Sequence, residues 1–241
     1  MAQPDIIKLV SRLELSVPLI GFYDAPDIEP FEPLIKPAEG KRPCIFAFYK
    51  PWLIGKTLYL SANSLCGGAG HWLFGQDTTP RDEFVRFLVD EEGLKGSYLQ
   101  MNQWLDSSKR YNPEHSNLFI GPLKESQYKY LKSVTFFVNP DQLSALILGA
   151  NYQSSPSDPP AVLAPFGSAC MQILPLFDDF EIPQAIIGST DIAMRRYLPA
   201  NILAFSVTTT MFEKLCSLSE SSFLYKPFWN RLVKHRQIHV L

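Results

Sequence analysis

The sequence predicts an α+β fold, a mixed β-sheet with helices packed on it. Short apolar runs of strand length, among them 44–49, 119–123, 134–138 and 202–207, alternate with stretches whose apolar residues recur at helical spacing. With 241 residues, 46% of them hydrophobic, the chain can bury a full core. One pattern occurs twice: an apolar run, then small residues, then a cysteine, ending at Cys66 and again at Cys170. That recurrence allows two similar halves, divided as 1–110 and 111–241 within one closely packed domain spanning 1–241.

Taken in order, Ile6, Leu9, Val10 and Leu13 fall on one face of a short helix over 5–15, with Pro4 as its starter. Residues 17–23 read as a strand. The prolines of 24–43 then remove backbone donors and predict an extended surface loop. The run CIFAFY, 44–49, predicts a buried strand with Cys44 at its entrance, and 57–62 a second strand leading into CGGAGHWLFG. A helix is expected to start near 79–82 with Phe84, Phe87 and Leu88 on one face, and another covers 98–105. The polar, turn-rich 106–117 predicts a loop.

In the second part, 119–123 and 134–138 read as strands. Asn139 reads as an N-cap and Pro140 as the first residue of a helix that presents Leu143, Leu146, Ile147 and Ala150. That helix leads to the apolar AVLAPF, and strand, helix, strand in succession fits a crossover between neighbouring strands. A further helix is expected after Cys170. Strands are expected at 184–188 and 202–207, a helix at 208–215 that carries Cys216 at its end, and a basic amphipathic helix over 225–241.

The formal net charge of −2 leaves no excess of cations for phosphates, so nucleic acid is not an expected partner. Asp5, Lys8, Arg12 and Glu14 interrupt the N-terminal apolar residues, and no apolar run has the roughly 20 residues of a membrane helix. A cytoplasmic protein with its cysteines as thiols is expected. The glycine run is neither a dinucleotide fingerprint nor a Walker loop, and no GxSxG elbow occurs.

The ordered set of Cys44, Cys66-Gly67-Gly68 with Gly75, Gly121-Pro122, Asn139-Pro140, Cys170, Gly188 ahead of Arg195-Arg196, and Pro199 resembles the domain of unknown function 169 family, widespread in archaea and anaerobic bacteria. The resemblance runs from about Val17 to Leu215 and leaves out the basic tail. It implies one family domain and family-like positions for three cysteines, and it brings no activity with it.

Two chemistries and one bland reading follow for these residues. In the first, Cys44, Cys66 and Cys170 converge, with His71 or an open position, on a soft metal or an iron–sulfur cluster. Gly67, Gly68, Gly70 and Arg195 then help to bind the cofactor or a small-molecule ligand, and Tyr49, Trp72 and Phe74 line the pocket. In the second, Cys66 or Cys170 is a catalytic thiolate with His71 as its base. In the bland reading the cysteines are packing residues and His71 is a core histidine. Asp178, Asp179 and Glu181 form an acidic cluster read as a solvated loop rather than a cation site, and His115, His235 and His239 are read as solvated.

Overall fold

The computed structural model describes residues 6–115, 117–174 and 182–238. Within them the strands are β1 (Ile20–Ala25), β2 (Leu34–Ile35), β3 (Thr57–Leu60), β4 (Asn117–Pro122), β5 (Leu131–Val138), β6 (Val162–Leu163), β7 (Ala185–Gly188) and β8 (Leu203–Thr208). They form one mixed sheet in the order β2-β3-β4-β1-β5-β8-β7-β6. The expected α+β class is therefore what the chain adopts.

The sheet reads alike from either edge. β1 to β4 lie in the order β2-β3-β4-β1, and β5 to β8 repeat it as β6-β7-β8-β5. In both sets the outermost pair is parallel and the other pairs are antiparallel. The sets meet along antiparallel β1 and β5, where Gly21 stands opposite Val134. This is the pairing pattern of an internal two-fold repeat. The expected loop 106–117 ends inside β4, which pairs with β1 and β3, so by pairing the first set runs on to residue 122.

Alternate residues of a strand face opposite sides of the sheet, and β5 shows it. Phe136 lies on one face, against Phe212 of α7 (Thr209–Cys216) and in one core cluster with Leu9 of α1 (Ile6–Arg12) and Leu146 of α6 (Pro140–Ala150). Phe137 packs on the other, against Phe46, Tyr49 and Trp52. That second face is covered by α2 (Tyr49–Leu53), α3 (Gly67–Leu73), α4 (Arg81–Arg86), α5 (Tyr98–Ser107) and the connection between β6 and β7. α8 (Pro227–Ile238) ends the described chain, and its Trp229 donates to the Arg12 carbonyl at 2.8 Å. Among the described residues no helix is long and apolar enough to cross a membrane.

Asn139 caps α6 as expected. Its side chain accepts from the Gln142 N–H, and Gln142 answers the Asn139 N–H and also donates to the carbonyls of Leu13 and Glu14. Asn139→Ala should cost about 1 kcal/mol, read from the urea midpoint of unfolding.

Five expectations are corrected. Residues 44–49 are not a strand: Ile45–Phe48 is a 3-10 turn that runs into α2. Ile45, Phe46, Tyr49 and Trp52 are all buried at helical spacing, and a short apolar run does not by itself separate a strand from a buried helix. Residues 24–43 are not wholly irregular, since Leu34–Ile35 pairs in parallel with β3 at the sheet edge, where prolines are tolerated. The strands flanking α6 are not neighbours, because β6 lies beyond β8 and β7; the crossovers join β2 to β3 and β6 to β7. As far as Leu174, Cys170 is followed by turns closed by Ser168 and Ala169 carbonyls and not by a helix; the rest of the expected helix lies outside the described residues. Phe87 is 48% exposed rather than sharing the buried face of Phe84 and Leu88; it begins the π turn Phe87–Glu91 into which α4 runs.

Candidate functional site

The two crossovers bring the cysteines together. Cys44 lies in the connection from β2 to β3 and Cys170 in that from β6 to β7, while Cys66 follows β3 and stands just ahead of α3. The Cys66 N–H donates to the Pro43 carbonyl at 3.3 Å, tying the first two loops, and the Cys66 carbonyl accepts from Gly70 N–H at 3.2 Å. Gly68 is the close approach in the turn. A Cβ there would stand 3.2 Å from the Cys170 sulfur and 3.0 Å from the Trp72 ring, so the thiol of one half rests on the glycine backbone of the other. Gly68→Ala should therefore push Cys170 aside and destabilise the protein by about 1–3 kcal/mol, which a denaturant titration reads.

Cys44, Cys66 and Cys170 line one cleft of about 980 Å³, with Asp191 and Met194 after β7, Glu92 and Phe84 on the α4 side, and the guanidinium of Arg196. The cleft is of the size that holds a small organic or inorganic guest. No disulfide links the cysteines.

Burial and mutual repulsion keep these groups protonated. Burial pushes the Cys44 thiol up to about 12, with the Cys66 thiol and Asp191 adding to the rise and Arg196 opposing it. Cys66 is raised by burial and by the Glu92 and Asp191 carboxylates, against the N–H groups of Ala69 and Gly68. Cys170 is raised well above the ordinary thiol range, by burial and then by the other two cysteines. Burial and then Asp191 push Glu92 up to about 7. Asp191 is thus the common anionic neighbour of the cleft's acids. Its carboxylate accepts from Ala193 N–H at 2.9 Å and Ala169 N–H at 3.3 Å, which anchors the Cys170 turn to the loop after β7.

His71 faces elsewhere. It is buried, its Nδ1 lies 2.5 Å from the Asp77 carboxylate, and it packs on the rings of Trp72 and Phe84. Burial lowers its pKa, Asp77 opposes this, and Arg110, 3.5 Å from Asp77, adds to the lowering. Its Nε2 has no hydrogen-bond partner among the described residues. The charged groups around His71 are Asp77, Arg110 and Arg81, whereas those around Cys66 are Glu92 and Asp191.

The remaining expected residues divide. Gly67 and Gly68 line the cleft, while Gly70 makes room for Thr78, whose Oγ1 would stand 2.6 Å from a Cβ. Arg195 donates to the carbonyls of Ser189, Pro199, Ala200 and Ile202 and so clamps its own loop; the cation lining the cleft is Arg196. Tyr49, Trp72 and Phe74 are buried in the core, and the rings at the cleft are Phe84, Phe87 and Tyr197. His115 is not merely solvated: its Nδ1 lies 3.1 Å from buried Asp24, which also accepts from the Tyr111 hydroxyl at 2.6 Å and from the N–H groups of Glu114 and His115. Asp178, Asp179, Glu181 and His239 lie outside the described residues. Among those described, no group of three or more His, Cys, Asp or Glu is placed to hold a metal ion.

Sequence reasoning missed Glu92 and Asp191 as cleft residues. Neither carries a local sequence signal, and both join the cleft through the tertiary arrangement of the segments after α4 and β7. No curated protein and no solved structure matches the chain. The model of the family with domain of unknown function 169, described as Uncharacterised ArCR, matches residues 8–217, and the chain belongs to that family.

Proposed function

We propose that the chain is a small-ligand-binding module, one domain built from two four-strand halves, whose cleft holds an iron–sulfur cofactor on Cys44, Cys66 and Cys170. The observation that carries this reading is the meeting of three thiols, from three separate loops of both halves, at one cleft. A single zinc ion needs its thiolates drawn in to about 2.3 Å, and no three side chains among the described residues are gathered for one ion. A cluster brings its own bridging sulfides and spans thiols that stand further apart. Protonated thiols crowded among carboxylates are also the state that a bound cation relieves, releasing protons as it does so. Thiols and such a cofactor suit a reducing compartment, and we place the protein in the cytoplasm. The thiolate-enzyme reading is weaker, because the Cys66 and Cys170 thiols are raised and His71 is engaged by Asp77.

The test is anaerobic incubation with ferrous iron and sulfide, followed by gel filtration, assay of bound iron and sulfide, and a visible spectrum. Stoichiometric iron and sulfide with charge-transfer absorption support the reading. Loading should weaken as pH falls, since each thiol must give up its proton, and protein that stays folded and colourless with no bound iron overturns the reading.

A further inference from the structure

We propose that Asp191 supplies the fourth protein contact to this cofactor, standing in the second half where Cys66 stands in the first. The inference rests on the reading above. The repeat in the sheet pairs the loop of Cys44, between β2 and β3, with the loop of Cys170, between β6 and β7. It likewise pairs the segment after β3, which carries Cys66, with the segment after β7, which carries Asp191. Four positions related two by two therefore surround one cleft, three of them thiols and one a carboxylate.

The Asp191 carboxylate is held for such a contact. One oxygen takes the Ala193 N–H and the other the Ala169 N–H, beside Cys170, and each oxygen keeps a further lone pair. No salt bridge to Asp191 is present among the described residues, although Arg196 lines the same cleft and donates to the Tyr197 hydroxyl. A carboxylate is a harder ligand than a thiolate and holds soft iron less firmly. An iron–sulfur cofactor bound here would be held by Cys44, Cys66 and Cys170 and less firmly by Asp191, so iron on the Asp191 side would exchange first.

The experiment compares the reconstituted wild type with Asp191→Cys and Asp191→Asn under mild ferricyanide oxidation, following iron, sulfide and the electron paramagnetic resonance spectrum. In the wild type one electron passes to ferricyanide and one ferrous ion leaves each cluster with the sulfide retained. Asp191→Cys should keep that iron, and Asp191→Asn, which keeps one of the two oxygens that accept from the backbone N–H groups, should lose it faster than the wild type. Iron loss at one rate in all three proteins, or from none of them, assigns Asp191 to loop positioning alone and overturns the inference. If Asp191→Cys does not fold, the Asn variant against the wild type decides by the same criterion. A wild type that takes up no iron overturns the cofactor reading itself, and this inference with it.

Discussion

Cys170→Ser is expected to lower bound iron by more than roughly tenfold at limiting iron, because loss of a group outside the ligand shell already costs about 10–100-fold in affinity. Cys170 is the buried member of the three thiols, and burial and then the neighbouring Cys66 and Cys44 raise its pKa. Replacing its sulfur by a hydroxyl also places a polar group in a dry site, worth about 1–3 kcal/mol of stability if it finds no partner. Cys216→Ser separates the two effects. Cys216 is equally buried but ends α7 on the opposite face of the sheet, among Leu215, Phe212 and Leu218. That variant should lose stability and load iron as the wild type does. Equal loading by both variants, measured as iron per folded chain, removes Cys170 from the site.

How legible the molecule was depends on how far apart the deciding atoms lie in the chain. The Asn139 cap is local chemistry: a side chain, a proline and a glutamine three residues on specify it, and the structure has all three in place. Strands β3, β4, β5, β7 and β8 were legible because each is an apolar run bounded by turn residues or by the amphipathic pattern of a helix. β2 was not, since two residues between prolines gain strand geometry only by pairing with β3. Residues 44–49 carried a helical spacing that becomes visible only with Trp52 included, and their burial against Phe137 is a tertiary fact.

The site shows the same division. Cys66 and Cys170 were legible as a recurrence of apolar run, small residues and thiol, but the repeat in the sheet sets Cys170 opposite Cys44 instead, so the local pattern and the strand order are separate signals. Asp191 is joined to the site by the Ala169 N–H, and its equivalence to Cys66 is read from strand order, so neither local pattern nor residue type announced it. Arg195 and Arg196 are adjacent in sequence and differ only in which one finds four carbonyls to clamp. His71 lies close to Cys66 in sequence, yet the α3 backbone directs it to Asp77 across the turn that follows.

The support behind the glycine turn gives the second large effect. Trp72 is fully buried; its ring packs against His71, Phe84 and Trp104 at centroid distances of 4.9, 5.9 and 5.3 Å, and its Nε1 donates to Ser108 at 3.1 Å. Its carbonyl accepts from Tyr111 N–H at 2.8 Å, which ties α3 to the loop pinned by Asp24. Trp72→Ala should therefore cost about 3–5 kcal/mol in a urea titration, the range for truncating a buried aromatic. The cavity would open beneath Gly68, whose missing Cβ leaves the Trp72 ring and the Cys170 sulfur as close neighbours. Trp229→Ala is the comparison: that ring is only partly buried and holds α8 through one bond to the Arg12 carbonyl, so its loss should cost about 1 kcal/mol. If the two variants unfold at the same urea concentration, Trp72 is not what holds the turn. If Trp72→Ala alone is destabilised and also loads iron less completely while still folded, the core beneath the glycines is what sets the Cys66 loop against Cys170.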